Sequence, residues 1–368
     1  MTDARFPKIP RVPISLFISI TSKCNLSCRH CSVYSDHLDY GPDLTTEQWL
    51  GFIDEIARLK IFRVKISGGE PFVREDIFDI LDAIYGKPVR FSINTNAIFI
   101  DAPKARRLAG YLDKLDDVMV SLDGADAPTY EALRGKGTFD RAMGGIRELV
   151  CHVGKICAYC TVNRYNCREL EKIARLAKDT GIGSLKFNEL LKGGRGQKYY
   201  AELGLNKKEK IRIMGELKEM QREYPFISGT LLQTEEIFSN IRSRMQQKQG
   251  DSFYAEPCLS GCGALLQECA IGPDGRVTPC DRLPEFTAGH ILRTPLDRIW
   301  RDAVKFQEFR KRFATHLSDL DTCGSCEYIP YCTGGCPASA WPVYGSLLAA
   351  DPTCCYRNFQ KEYGERCK

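Results

Sequence analysis

Cys24, Cys28 and Cys31 stand in the segment Thr21-Ser22-Lys23-Cys24-Asn25-Leu26-Ser27-Cys28-Arg29-His30-Cys31, a C-x3-C-x2-C spacing that lets three thiols converge on one metal cluster. Thiolates are the usual ligands of iron–sulfur clusters. A four-iron cluster held by only three of them leaves one iron open to an external ligand, as an open position does in any catalytic metal centre. Downstream, Ser67-Gly68-Gly69-Glu70-Pro71 offers two glycines that let backbone approach a ligand closely and a carboxylate suited to an amino group.

A second concentration of thiols begins at Cys258. The run Cys323-x2-Cys326-x5-Cys332-x3-Cys336 cannot be one helix or one strand, because Gly324, Pro330, Gly334, Gly335 and Pro337 punctuate it. Loops of this kind wrap clusters. Ahead of it, the stretch from Ala270 to Thr278 reads as two short strands joined by a Pro273-Asp274-Gly275 turn, with Cys280 at the exit.

The middle thiols Cys151, Cys157, Cys160 and Cys167 invite the same reading, and strand geometry opposes it. Residues three apart in a strand face opposite ways, so Cys157 and Cys160 cannot share a metal unless the strand breaks between them. These four are read as core residues, since buried cysteine behaves as a small hydrophobe. Cys367 is read as a spare thiol.

The elements that position these groups follow from periodicity. Apolar runs of strand length recur at 14–20, 62–66, 89–93, 118–122, 156–162 and 185–187, with helical patterns between them. The first helix carries Thr45 as cap, Gln48 three residues on, and Trp49, Phe52, Ile53 and Ile56 on one face. Further helices fit at 74–85, 101–114, 138–151 and 166–179. Six strand–helix units in succession predict an α/β fold, a partial (β/α)6 barrel of the TIM type, open on one side, with its reactive edge at the C-terminal ends of the strands. The front cysteines sit at that edge. The expected division is a short N-terminal segment 1–13, the barrel 14–230, a linking helix 231–254 and a cysteine-rich unit 255–368.

Eighteen cysteines in 368 residues are too many for a chain this long to need as staples, which points to metal rather than disulfides. No stretch approaches the roughly 18 apolar residues of a membrane helix, and the N-terminus has early prolines and no small-residue cleavage site, so a cytoplasmic protein with no membrane partner is expected. The net charge of +5 falls to about zero once one three-thiolate and two four-thiolate clusters add roughly −1, −2 and −2. Mild basicity therefore gives no argument for nucleic acid, and no Lys/Arg run interleaved with aromatics supplies one.

From residue 14 to about 200 the chain resembles the radical S-adenosylmethionine (SAM) superfamily. The resemblance implies a four-iron four-sulfur cluster on Cys24, Cys28 and Cys31, whose open iron takes the amino and carboxylate groups of SAM. It places His30 near the adenine, and Gly68, Gly69 and Glu70 at the methionine amino group. It also places Ser121 and Asp123 at the ribose and methionine, Arg134 at the SAM carboxylate, and Asn96 as a further contact. From Cys258 onward the chain resembles the SPASM extension of that superfamily. Cys262, twelve residues, Gly275, four residues and Cys280 match its first part, and Cys323, Cys326, Cys332 and Cys336 its second. By that resemblance Cys262, Cys280 and Cys336 hold one auxiliary cluster with a further upstream thiol, Cys258 in preference to Cys269. Cys323, Cys326 and Cys332 hold another with a late cysteine, Cys354 in preference to Cys355.

Three 4Fe-4S clusters and SAM together imply formation of a 5′-deoxyadenosyl radical and an oxidation, with the surplus electron leaving through the auxiliary clusters. The expected enzyme oxidatively modifies or cross-links a side chain of a ribosomally made peptide. A flavodoxin- or ferredoxin-type donor would serve it, and, because only about thirteen residues precede the first strand, leader recognition would fall to a separate protein or the barrel itself. One alternative is an anaerobic sulfatase maturase forming formylglycine, in which Asp281, next to Cys280, would take the substrate proton. Another is an enzyme acting on a small-molecule cofactor precursor. An iron–sulfur electron carrier is the reading outside enzymes, and it leaves the SAM motifs without use.

Overall fold

The computed structural model describes residues 8–33, 41–246, 257–352, 356, 358 and 359. Its frame is a parallel sheet of β1 (Ser15–Ser19), β2 (Arg63–Ser67), β3 (Arg90–Thr95), β4 (Leu115–Ser121), β5 (Ile156–Val162), β6 (Ser184–Glu189) and β7 (Ile227–Ser228), each pairing with the next. The six strands read from the sequence are present. The seventh, two residues long, is too short to leave a periodic signal.

Helices connect the strands and cover the outer face, as right-handed parallel crossovers require. The first, Thr46–Arg58, begins with the expected capping box: the Gln48 amide donates to Thr45 Oγ1 at 3.3 Å, and the Thr45 amide to Gln48 Oε1 at 2.9 Å. Trp49, Phe52, Ile53 and Ile56 are its buried residues, packed against Leu16, Ile18, Val64 and Ile66 in one continuous core. Burying a side chain of this kind contributes about 1.5–3 kcal/mol. The other expected helices appear at Ile77–Tyr85, Ala102–Ala109, Phe139–His152 and Leu170–Thr180. A helix at Ala127–Arg134, capped by Asp126, was not legible in the periodicity.

The barrel does not close. The free edge of β1 takes β8 (Glu268–Ile271), which lies parallel to it and carries β9 (Arg276–Thr278) and β10 (Gly289–His290) antiparallel beyond. The hairpin expected in the cysteine-rich unit therefore continues the barrel sheet. The linking helix starts at Thr230 and is described to Gln246; residues 247–256 lie outside the described set. Among the described residues, no helix is long and apolar enough to cross a membrane.

Of the middle cysteines, Cys157, Cys160 and Cys167 are buried, whereas Cys151 is exposed in the last turn of its helix, a correction to its reading as core. Cys157 Sγ lies 3.8 Å from Ser184 Oγ and Cys160 Sγ 3.6 Å from Asn166 Nδ2, so the two meet different neighbours as the strand period requires. Cys367 lies outside the described residues.

Candidate active site and cluster-binding loops

The front cysteines occupy the loop after β1. Asp43 pins its start, accepting from Thr21 Oγ1 at 2.6 Å and from the Ser22 amide at 2.8 Å. Its far end is held where the Arg29 amide donates to the Leu133 carbonyl and the Gly196 amide to the Cys31 carbonyl. Burial, with Cys28 and Cys31 beside it and against the pull of the Leu26 amide, pushes the Cys24 thiol up to about 11. Burial raises the Cys28 thiol as well, so Cys24 and Cys28 resist ionising, and a bound cluster would hold them as thiolates.

The loop after β2 lies directly on the cysteine loop. The amides of Gly69 and Glu70 donate to the carbonyls of Thr21 and Lys23 at 2.8 and 2.9 Å. A Cβ at Gly69 would meet the Lys23 carbonyl oxygen at 2.0 Å, and one at Gly68 (φ +138°) the Thr21 carbonyl oxygen at 2.6 Å. The glycines thus serve the approach of one backbone to another as well as leaving room for a ligand.

Glu70, 1% exposed, accepts from the Phe72 amide at 3.2 Å, Thr95 Oγ1 at 2.6 Å and the Asn96 amide at 2.7 Å. Burial pushes its carboxyl up to about 7 against the pull of these donors. Asn96 in turn donates from Nδ2 to Asn25 Oδ1 at 2.9 Å, a partner inside the cysteine loop that sequence reasoning missed. The ends of β2 and β3 are in this way laced to the loop.

His30, Asp123 and Arg134 form a buried charged cluster behind Cys28. Asp123 Oδ2 lies 2.6 Å from Arg134 Nε and 3.2 Å from His30 Nε2, while the Thr161 amide donates to Asp123 Oδ1 at 2.6 Å. Although burial opposes ionisation, Arg134 and His30 hold the Asp123 carboxyl well below the usual carboxylate range. Among the described residues His30 Nδ1 is buried without a hydrogen-bond partner, and His30 lines the central cavity.

That cavity, about 480 Å³, is lined by the cysteine loop, Ser67 to Glu70, Asn96, Ser121 and Arg134, and also by Asp281 and Arg282. Burial pushes the Asp281 carboxyl up, with Arg282 and Lys65 pulling against it. Arg282, another residue missed from the sequence, also stands within electrostatic reach of Cys336, Cys280 and Cys262. Those three thiols are neighbours: burial, then Asp281, and then Cys262 and Cys336 push Cys280 up, and burial and then Cys336 push Cys262 up.

The remaining back cysteines divide by position. Cys258 bridges backbone with His316, and the next residues lie on the Thr333 loop, the Ser260 and Gly261 amides both donating to the Thr333 carbonyl at 3.1 Å. Cys269 is buried within β8, where burial pushes its thiol up against the pull of Arg310. Cys323, Cys326 and Cys332 follow one another in linked turns, the Cys326 amide donating to the Cys323 carbonyl at 2.7 Å and the Gly334 amide to Cys332 Sγ at 3.3 Å. Cys354 and Cys355 lie outside the described residues.

The sequence matches the radical SAM superfamily over residues 18–177 and the SPASM iron–sulfur cluster-binding domain over 262–327. Mycofactocin maturase MftC of Mycobacterium tuberculosis is 31% identical over 346 residues, 93% of this chain and 83% of that one. The chain belongs to the radical SAM superfamily. Another relative by sequence, the AdoMet-dependent heme synthase of Methanosarcina barkeri, is 31% identical over 355 residues, 93% of this chain and 96% of that one. The radical SAM fold is shared with Streptococcus suis SuiB bound to precursor peptide SuiA (TM-score 0.73, 17% identity, 94% of this chain and 76% of that one). It is shared equally with anSMEcpe with bound AdoMet (TM-score 0.71, 21% identity, 96% of this chain and 97% of that one). This radical SAM enzyme therefore binds SAM and iron–sulfur clusters. The donor set fits both groups, with three thiols in one loop, two glycines behind it, and an orphaned His30 nitrogen at the wall of a cavity bordered by that loop.

Proposed function

We propose that this radical SAM/SPASM enzyme is a peptide maturase that oxidatively modifies or cross-links a side chain of a ribosomally made precursor. The observation that carries the reading is the cavity between the front cysteine loop and Asp281–Arg282, which stand beside the back thiols. A substrate held there has the SAM site on one side and an electron exit on the other. The maturase name of the Mycobacterium tuberculosis relative and the precursor peptide held by SuiB support a peptide as substrate.

Cys24, Cys28 and Cys31 would hold the first four-iron cluster. Cys262, Cys280, Cys336 and Cys258 would hold the second, and Cys323, Cys326, Cys332 and Cys354 the third. The division into a barrel at 14–230 and a cysteine-rich unit at 255–368 belongs to the same reading. When bound beside the cluster on Cys24, Cys28 and Cys31, SAM would supply the radical chemistry that removes hydrogen from a substrate carbon. The chain's own residues orient and shield. Gly68, Gly69 and Glu70 form the wall at the SAM amino group, Ser121 and Asn96 line the ribose and methionine side, and Arg134, held by the buried Asp123 that does not itself line the cavity, offers N–H donors to a carboxylate. His30 Nδ1 offers its free hydrogen-bonding capacity to the adenine, and Asp281 is positioned to receive a substrate proton.

A second reading, a small-molecule substrate, is supported by the heme synthase relative, which is as similar as the maturase. One experiment separates them. The anaerobically reconstituted enzyme, SAM and dithionite are incubated with a short precursor peptide encoded beside the gene and, separately, with a Cys-x-Pro-x-Arg peptide or iron coproporphyrin III. Mass change in the neighbouring peptide alone supports the proposal. A loss of about eighteen mass units in the Cys-x-Pro-x-Arg peptide, as the thiol sulfur and two hydrogens leave and a water oxygen enters, would replace it with formylglycine formation, and change in the porphyrin alone with the small-molecule reading.

A further inference from the structure

We propose that Arg134 donates an N–H···S hydrogen bond to Cys28 and, balanced by Asp123, sets the reduction potential of the cluster held by Cys24, Cys28 and Cys31. Arg134 Nη1 lies 3.8 Å from Cys28 Sγ, Nε 2.6 Å from Asp123 Oδ2, and Nη2 3.4 Å from His30 Nε2. The guanidinium lies over the Tyr130 ring, 5.6 Å from its centroid, and is 9% exposed. Asp123 is itself fixed: the Thr161 amide holds Oδ1, and Asn166 Nδ2 donates to its carbonyl at 2.9 Å. Asp123 cannot turn away without breaking its bond to β5, and Arg134 cannot turn away from the thiol without breaking its bond to Asp123.

Arginine has five N–H groups. Nε–H is committed to Asp123, one Nη1 hydrogen to Cys28 and at most one Nη2 hydrogen to His30, so two remain for a SAM carboxylate. The contact with Cys28 is thus an addition to the expected role of Arg134.

The physical consequence follows from charge. Reduction adds one electron to the cluster, supplied in the cell by a flavodoxin- or ferredoxin-type donor and in the experiment by dithionite. A cation and an N–H donor at a ligand sulfur stabilise the more negative, reduced form and raise the potential. A carboxylate beside it works in the opposite direction. The dyad predicts shifts of opposite sign for its two members, which a role confined to packing would not produce. The inference rests on the cluster assignment to Cys24, Cys28 and Cys31, and is independent of what the substrate is.

The test is an EPR-monitored redox titration of the reconstituted full-length enzyme, the front cluster being the one whose signal changes on adding SAM. Against the wild type, Arg134→Gln should move its midpoint more negative, Arg134→Lys less so, and Asp123→Asn more positive, with the auxiliary midpoints unmoved. An unchanged midpoint in an iron-replete Arg134→Gln, or shifts of the same sign in Arg134→Gln and Asp123→Asn, overturns the proposal. Should the variants lose the front cluster, the wild type grown with ¹⁵N-arginine decides. A ¹⁵N coupling to the reduced, SAM-sensitive cluster is expected, and its absence overturns the hydrogen bond. Full iron retention in a Cys24, Cys28 and Cys31 triple alanine variant would instead reject the cluster assignment, a different outcome.

Discussion

Cys269 stands opposite Leu16 in the parallel ladder between β8 and β1. Paired residues in a sheet point to the same face, and Leu16 belongs to the core packed under the helices, with Phe17 next to it lining the central cavity. Cys269 therefore turns toward Arg310 and the core, away from Cys262, Cys280 and Cys336. Cys258 instead sits on a segment bonded to the Thr333 loop that leads to Cys336.

The first prediction follows. Cys269→Ala should keep the iron content of the wild type, whereas Cys258→Ala should lose up to about four irons per chain, one cluster's worth. Iron analysis of anaerobically reconstituted variants checks it; iron loss from Cys269→Ala would exchange the two assignments.

Total iron is the second. Three four-iron clusters correspond to about twelve irons per chain, and the Cys24, Cys28 and Cys31 triple alanine variant should keep about eight while losing SAM cleavage. Cys157→Ala and Cys160→Ala should keep all of it. Finding about four irons in the intact protein would remove the auxiliary clusters.

Two adjacent glycines in the helix Phe139–His152 should behave in opposite ways. A Cβ at Gly144 meets nothing within 4 Å, so Gly144→Ala should stabilise the protein by about 0.5–1 kcal/mol. One at Gly145 would lie 1.9 Å from the Ala97 carbonyl oxygen, in the loop that carries Asn96. Gly145→Ala should destabilise the fold and weaken SAM binding, measured by urea denaturation and by equilibrium dialysis with labelled SAM.

Glu70 gives a pH signature. Its carboxyl is pushed up to about 7, so in the metal-free protein the folded state holds a proton that the unfolded chain releases near its ordinary value of 4.5. With more protons on the native side, stability falls as pH rises through that window. Between pH 5 and 7.5 the wild type should lose about 2 kcal/mol relative to Glu70→Gln, whose side chain does not titrate. Parallel stability curves for the two proteins would show that the Glu70 carboxyl is not shifted.

Asp281 supplies a test of the formylglycine alternative. If its carboxylate takes the substrate proton, Asp281→Asn should retain SAM cleavage while product from a Cys-x-Pro-x-Arg peptide falls by about 10²–10⁴. Uncoupled SAM cleavage by wild type and variant alike, with that peptide unaltered, is the outcome expected of an enzyme dedicated to another precursor.

What could be read in the sequence was local. The C-x3-C-x2-C loop, Gly68-Gly69-Glu70, the Thr45–Gln48 capping box, the six main strands and the hairpin around Gly275 all rest on contacts between residues a few positions apart, where spacing dictates geometry. Period-two reasoning also placed Cys157 and Cys160 on different faces. It could not say what lies beside a strand. The pairing of β8 with β1 joins residues as far apart as Ser15 and Glu268, and the approach of Arg134 to Cys28 spans 106 positions. β7 and the helix Ala127–Arg134 were too short for periodicity to declare. The choice between Cys258 and Cys269, the lacing of Glu70 to Thr95 and Asn96, and the position of Arg282 between cavity and thiols had the same cause. Each depends on which apolar faces pack together once the chain is closed over long loops, and that register is decided by the whole core rather than by any one segment.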